Sequence, residues 1–450
     1  MTAPGARFPE FAFNMASTLT AFPVEEKMDV INARCAGLDV HKDTVVACVR
    51  VAVNGKITRD VRSFGTMTCD LVALLRWLTE MGCTHVAMEA TGIYWRPVWH
   101  ILSDGVFEMV LANAAHIKNV PGRKTDVNDA TWIADLLAHG LIRSSFVPEE
   151  DFQALRSLLR TRKQLVRERS GHILRIQKTL EDANIKLDSV ISDIVGVSGR
   201  AMLQALIEGE SDPIKLAALA NRRIKASPDV LREALRGRVM DVHRFLLQLH
   251  LGQADALDES INRIDREVKL AIDRMDQKVI AGHVTIEVLI ALLMTIPGIG
   301  LLAARMILAE IGRDMGRFPT AGHLVSWAGL CPGNNESAGK RRSSRLRKGA
   351  PWLKTLLVQC ALAASHKKNC YFRAQFLRLK SRRGHKKAVC AVAASILTTI
   401  YHILKNGTPY KDLGADHFDR RSIEAKANRL VTQLAKLGFQ AELHPLNVPT

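Results

Sequence analysis

Between Cys35 and Gly140 the hydropathy pattern changes period in a fixed order, and that order restricts the fold more than any other feature of the chain. Ala36–Val40 is apolar except for Asp39, reads as a strand, and runs into polar His41-Lys42-Asp43. Thr44 to Val53 is a β-branched run, Asn54-Gly55-Lys56 is a hairpin turn, and Ile57 to Phe64 returns as a third strand. Cys69 to Met81 carries Leu71, Leu74, Leu75 and Leu78 at helical spacing. His85–Ala90 reads as a short buried strand that contains Glu89, Trp95–Leu102 as a helix, and Glu108–Ala112 as a strand. A basic turn, Gly122-Arg123-Lys124, then feeds an amphipathic helix. Its expected N-cap is Thr125, Asp126 and Asp129 fall in its first turn, Ile133, Leu136 and Leu137 form its apolar stripe, and Gly140 stops it.

Three strands in a meander and a helix, followed by strand, helix, strand, helix, is the element order of an α/β ribonuclease H-like domain. In such a sheet the first and fourth strands are neighbours and the closing helix crosses them. Asp39, Glu89, Asp126 and Asp129 can therefore converge on one point. Asp126 and Asp129, three residues apart, share one helix face. The plain alternative is that these are capping and strand-end acids in solvent. Acids inside otherwise apolar strands are costly unless paired or liganding, which favours a metal role. An all-oxygen cluster suits Mg²⁺ or Mn²⁺. Two such ions about 4 Å apart stabilise both the attacking and the leaving oxygen of a phosphodiester. Arg123 and Lys124 are placed to hold a phosphate beside them. Asp43 and Asp135 are rival acids, and Asp135 is the weaker because it lies six residues beyond Asp129.

The charge balance points the same way. Lys and Arg number 63 against 45 Asp and Glu, giving +18, which fits a polyanion partner. The longest apolar run, Val288–Ala304, is broken by Pro297-Gly298-Ile299-Gly300 and falls short of the ~20 residues a spanning helix needs, so no membrane is expected. Cys35, Cys48, Cys69, Cys83, Cys331, Cys360, Cys370 and Cys390 are scattered without C-x-x-C spacing, which fits a reducing cytoplasm and no zinc site or disulfide framework. The N-terminus shows no basic n-region followed by an apolar core. Residues 1–34 lack periodicity and read as a disordered extension, with Met28 an alternative start.

We expect the α/β domain to span 35–148, a mostly helical region 149–290, a helical C-terminal domain 291–410 and a peripheral tail 411–450. Phe152, Leu155, Leu159, Val166, Ile173, Ile176 and Leu180 form a heptad-like stripe with Arg162 and Arg169 at core-register positions, and Leu257, Ile261, Ile264, Val268, Ala271 and Met275 form a second. Two such helices most simply pair as a coiled coil, within a subunit or between subunits. The first is basic (Arg156, Arg160, Arg162, Lys163, Arg167, Arg169, Arg175, Lys178), either as an ordinary solvated face or as one that tracks phosphates. Helix, Pro-Gly-Ile-Gly turn and helix over 291–315 suggest a helix-hairpin-helix, with Gly298 and Gly300 presenting backbone N–H groups to phosphate; a plain helical hairpin is the competing reading. Residues 327–350 are rich in Gly, Asn, Ser and cations, and read as a loop that is either disordered or bound to an anion. There Ser337, followed by Lys340, Arg341 and Arg342, is a candidate nucleophile on phosphorus, with Ser343 and Ser344 as rivals.

Gly37-Leu-Asp-Val-His-Lys42, Met88-Glu-Ala-Thr-Gly-Ile-Tyr94, Val120-Pro-Gly-Arg-Lys-Thr-Asp-Val-Asn-Asp129, Ile296-Pro-Gly-Ile-Gly300 and Pro332-Gly-Asn-Asn-Glu-Ser-Ala-Gly-Lys340 together resemble the DEDD transposases of the IS110 family of bacterial insertion sequences, in their IS1111-like form. The likeness runs in order over residues 35–410. It implies a RuvC-like N-terminal domain, a coiled-coil insertion and a C-terminal transposase domain with an essential serine. By motif, Asp39, Glu89, Asp126 and Asp129 match the four carboxylates and Ser337 the serine. It further implies recombination of double-stranded DNA through a phosphoserine link with Mg²⁺, guidance by a structured noncoding bridge RNA, and a homodimer or tetramer. Ser-Ala-Gly-Lys stands here where other members have Ser-Gly-Gly-Lys. The rival readings are a resolvase-like nuclease in which water attacks, and a non-catalytic nucleic-acid-binding protein.

Overall fold

The computed structural model describes residues 30–90, 92–113, 117, 129–278, 284–333, 335–343, 345–346, 349–420 and 423–440. The chain divides into two compact units, Met1–Val147 and Pro148–Thr450.

The first unit is built on five strands: β1 (Arg34–Val40), β2 (Thr44–Val53), β3 (Lys56–Gly65), β4 (His85–Glu89) and β5 (Glu108–Ala112). They lie in the order β3-β2-β1-β4-β5. The first three pair antiparallel, and β1, β4 and β5 run parallel. Asn54 (φ 48°) and Gly55 (φ 77°) make the left-handed two-residue turn between β2 and β3 that their types favour. Helices α1 (Thr68–Glu80) and α2 (Trp95–Leu102) cover one face, where Leu71, Leu74, Trp77, Leu78, Val98 and Leu102 pack on Ala36, Leu38 and Val40. Side chains alternate along a strand. Cys35, Gly37 and Asp39 therefore take the opposite face, which α3 (Asp129–Ala138) covers through Ile133, Leu136 and Leu137. Gly140 (φ 65°) ends α3: its N–H donates to Leu137 and that of Leu141 to Leu136, a Schellman pattern. A five-stranded mixed sheet of this order is ribonuclease H-like, as expected.

Among its described residues the second unit is helical apart from one hairpin. Its helices are α4 (Glu150–Asp182), α5 (Leu187–Val190), α6 (Val197–Ile207), α7 (Pro213–Ala218), α8 (Pro228–Ala234), α9 (Asp241–Gln277), α10 (Ile286–Met294), α11 (Leu301–Ile311), α12 (Ala321–Trp327), α13 (Pro351–His366), α14 (Tyr371–Arg383), α15 (His385–Asn406), α16 (His417–Arg420) and α17 (Ile423–Lys436). The 33-residue α4 and 37-residue α9 run antiparallel. Phe152, Leu155, Leu159, Ile176 and Leu180 of α4 are buried, as are Leu247, Leu251, Ala254, Ile261, Val268, Ile272 and Met275 of α9. The arginines that interrupt the apolar register are paired across the seam: Arg162 binds Asp265 bidentately at 2.6 and 2.9 Å, and Arg169 reaches Asp258 at 2.6 Å. Val166 lies nearer the surface, because it falls between these two ion pairs and the seam is charged there. Helix α15 is long and apolar enough to cross a bilayer by composition, yet Val389, Val392, Ile396 and Ile400 are buried in this unit's core.

Candidate active site

Asp39 and Glu89 sit at the carboxyl ends of neighbouring parallel strands. Leu38 pairs with Met88, so the next residue on each strand is an acid, and the two are adjacent in register. Both alternate onto the α3 face. Two contacts fix the direction of α3 over that face. The Cys35 thiol donates to the Ala134 carbonyl at 3.5 Å, and a Cβ built on Gly37 would stand 2.2 Å from the Ala130 carbonyl oxygen and 2.4 Å from the Ala134 nitrogen. Stepping from Ala134 to Ala130 thus moves from Cys35 toward Asp39, so α3 runs antiparallel to β1. Its first residue, Asp129, arrives at the Asp39 end. Only a glycine at 37 lets the helix backbone come this close.

Asp39 and Glu89 thus stand side by side at the strand ends, and Asp129 begins the helix that lies over the same face. Asp126, Arg123 and Lys124 lie outside the described residues. The Nε2 of His41 lies 3.1 Å from Asp39 Oδ2; the Asp39 side chain is 22% exposed. The donor set is all carboxylate, which suits a hard divalent cation. Among the described residues alone, no group of three or more His, Cys, Asp or Glu is spaced to hold an ion.

Asp135 has a different duty. Its Oδ1 accepts from Arg50 Nε at 3.0 Å and Arg59 Nη2 at 2.9 Å. Arg50 is 1% exposed and its Nη1 is buried without a partner among the described residues. The sequence reading passed over Arg50, although a lone cation inside the Val45–Val53 run marks a position where a strand must bury charge and find a carboxylate. Burial raises the Cys35 thiol pKa to about 12, so this cysteine is an inert packing residue.

In the second unit the segment expected to be disordered or anion-bound folds as a hairpin, β6 (Asn335–Ser337) and β7 (Lys340–Ser343). The two strands pair antiparallel, with an irregularity between Asn335 and Glu336. Ser337 pairs with Lys340 across a turn in which Ala338 (φ 50°) and Gly339 (φ 72°) are both left-handed. Below it Gly333 N–H donates to the Arg345 carbonyl at 2.8 Å. Lys340 is exposed. The side chains of Ser337, Arg341 and Arg342 lie outside the described part. The two glycines of the Pro-Gly-Ile-Gly turn differ. A Cβ on Gly298 (φ 88°) would meet the Cys360 carbonyl at 2.3 Å, so this glycine seats the turn on α13. Gly300 caps α11 in extended conformation with open space around it.

The sheet order and its covering helices define a ribonuclease H-like domain with Asp39 and Glu89 at the ends of adjacent strands. A DEDD-type family model described as "Transposase" matches residues 36–185, and one described as "Transposase IS116/IS110/IS902 family" matches 290–377, together more than half of the chain. A "Transposase for insertion sequence element IS1111A" of Coxiella burnetii is 25% identical over 390 residues, 83% of this chain and 90% of that protein. A "Probable family 20 transposase" of Pseudomonas aeruginosa is 26% identical over 283 residues, 62% of this chain and 70% of that protein. A "Pilin gene-inverting protein" of Moraxella lacunata is 25% identical over 201 residues, covering 44% and 59%. The chain belongs to the IS110 family of transposases. As a class these are DNA-recombining enzymes whose DEDD domain depends on divalent metal.

Proposed function

We propose that this transposase cuts and rejoins double-stranded DNA at the ends and target of its insertion sequence, using the carboxylates Asp39, Glu89, Asp126 and Asp129 together with Ser337 as nucleophile. The observation that carries this reading is the arrival of Asp39, Glu89 and Asp129 at one sheet edge through the strand register and the direction of α3. A divalent cation, Mg²⁺ or Mn²⁺, held by the four acids would offset negative charge on the scissile phosphate and on the oxygen leaving it. His41 holds Asp39 through its hydrogen bond. Arg123 and Lys124 add positive charge for the phosphate. Ser337 Oγ bonds to phosphorus as the bond to the leaving strand oxygen breaks; the serine proton passes to solvent and the leaving oxygen takes one up. A free hydroxyl of the partner strand then displaces the serine, restoring it. Lys340, Arg341 and Arg342 neutralise the phosphoryl oxygens.

In the same reading 149–290 is a coiled-coil insertion formed by the α4–α9 pair, and 291–410 is the transposase domain. The α10–turn–α11 segment is a helix-hairpin-helix that offers Gly300 to a phosphate, with Gly298 set against α13. A structured noncoding RNA guides the enzyme, which acts as a homodimer or tetramer; the +18 charge supports polyanion partners of both kinds. The test is cleavage of element-end DNA, with its RNA, in Mg²⁺ or EDTA, by wild type and by Asp39→Asn, Glu89→Gln and Asp129→Asn. The reading requires metal-dependent cleavage that each substitution abolishes while thermal stability is kept. Full cleavage by all three variants would overturn it.

A further inference from the structure

The basic helix α4 does not present one uniform cationic face. Four of its eight cations are consumed inside the unit. Arg162 and Arg169 pair with α9, and Arg156 and Arg160 converge on Glu310 of α11, a carboxylate only 4% exposed. Arg160 holds Glu310 bidentately at 2.8 Å to each oxygen, and Arg156 also donates to the carbonyls of Ala309 and Glu310. The other four, Lys163, Arg167, Arg175 and Lys178, form no hydrogen bond or ion pair among the described residues. Their positions fall within about 120° of the helix circumference, and they span about 22 Å along its axis. Between them the same face carries Gly171 and the exposed Leu174, with Ser170 at its edge. Glu168, on the flank of this face, is the one acid in the interval.

At its N-terminal end this row meets Trp352, the second residue of α13, the helix that follows the serine hairpin. Arg160, Lys163 and Arg167 stand 5.3, 5.4 and 5.7 Å from the Trp352 ring centre. Three cations on one ring, of which Arg160 is paired with Glu310, leave an excess of positive charge among the described residues. The crowding registers on Lys163, whose pKa is held below the usual lysine range by burial first and then by Arg167. An anion placed there relieves the repulsion.

We infer that Lys163, Arg167, Arg175 and Lys178 form a rail that binds a row of nucleic-acid phosphates and leads the backbone toward Trp352 and the serine hairpin. This rests on the recombinase reading and adds the surface that holds the substrate. Lysine and arginine heads in a row recognise phosphodiesters by charge and carry no base information. A rail of this kind weakens with salt, because each phosphate it neutralises releases counterions.

The test is the salt dependence of binding to a labelled 40-bp duplex, and in a second arm to an RNA hairpin with the same number of phosphates. Arg167→Gln/Lys178→Gln removes two exposed rail cations. Arg266→Gln/Lys269→Gln removes two exposed cations of α9 and serves as the charge-matched control. We expect the log–log salt slope of the rail variant to fall by about 1.8, at about 0.9 per lost phosphate contact, with an unchanged melting temperature and a control within roughly 0.4 of wild type. The arm in which the slope falls identifies the backbone as DNA or RNA. Equal slopes for the rail variant and the control in both arms would overturn the rail while leaving the recombinase reading intact. Wild-type protein that binds neither polyanion would sink both.

Discussion

Gly37 is where the fold and the acidic edge depend on a single missing methyl group. In Gly37→Ala the new Cβ would lie 2.2 Å from the Ala130 oxygen, 2.4 Å from the Ala134 nitrogen and 3.0 Å from the Ile133 carbonyl carbon. All are backbone atoms of one helix, so no side chain can swing aside. To reach ordinary contact, α3 must recede by about 1 Å, a shift that alone forfeits a quarter to a half of each dispersion contact across the gap. Ile133, Leu136 and Leu137, now 1, 3 and 4% exposed, lose part of their packing on the sheet. Overpacking typically costs about 1–3 kcal/mol, and with the loosened helix we expect about 3 kcal/mol. For a unit of this size that lowers the melting temperature by on the order of 10 °C. The assay is thermal unfolding by circular dichroism, with amide exchange across Ala130–Ala138 as the local readout. Gly252→Ala, at a helical glycine with open space around it, is the control and should be neutral or stabilising by up to about 1 kcal/mol. Because Asp129 moves with α3, strand cleavage should fall on the order of 100-fold. A Gly37→Ala protein that melts and exchanges like wild type would refute the helix placement from which the acidic edge is argued.

Further expectations concern separate elements. Asp135→Ala should destabilise the first unit by about 3 kcal/mol, because it strands the buried Arg50 guanidinium, and a denaturant titration that shows no loss would remove that ion pair from the account. Ala338→Gly should stabilise the serine hairpin by up to about 1 kcal/mol, since Ala338 bears a left-handed φ of 50°; slower amide exchange across β6 and β7 is the readout. The His250 Nδ1 lies 3.3 Å from that of His172 in the α4–α9 seam, and burial, then His172 and Arg175, depress its pKa. The unfolded chain therefore protonates this residue near pH 6.5 while the folded chain resists, so its contribution is present above that pH and is lost on acidification. His250→Gln should flatten the stability profile below about pH 6.5, and an unchanged profile would dismiss the pair.

The sheet and its acids were legible because strand periodicity, the Asn54-Gly55 turn and the two acids embedded in apolar strands are local signals. The element order already put the first and fourth strands side by side; what was not local is the close approach at Gly37, whose role appears only when a helix backbone lies against it. Arg50 was missed for the same reason, since its partner Asp135 is 85 residues away. The heptad stripes of α4 and α9 gave the pairing, while the sequence could not say which of eight cations were spent inside. Arg162 and Arg169 look no different from Arg167 until Asp265 and Asp258 are seen opposite them. The serine hairpin was hidden by Ala338, a poor residue for a left-handed turn that adjoins a favourable Gly339.

The central claim is a covalent one, and the most direct measurement is an SDS-resistant adduct. Purified protein, its element-end DNA, its noncoding RNA and Mg²⁺ are incubated, and labelled strand that migrates with protein is scored for wild type, Ser337→Ala and Asp126→Ala. The account predicts an adduct in wild type that is absent in both variants. Cleavage with no adduct, persisting in Ser337→Ala, would contradict it and assign the chemistry to a resolvase-like nuclease in which water attacks.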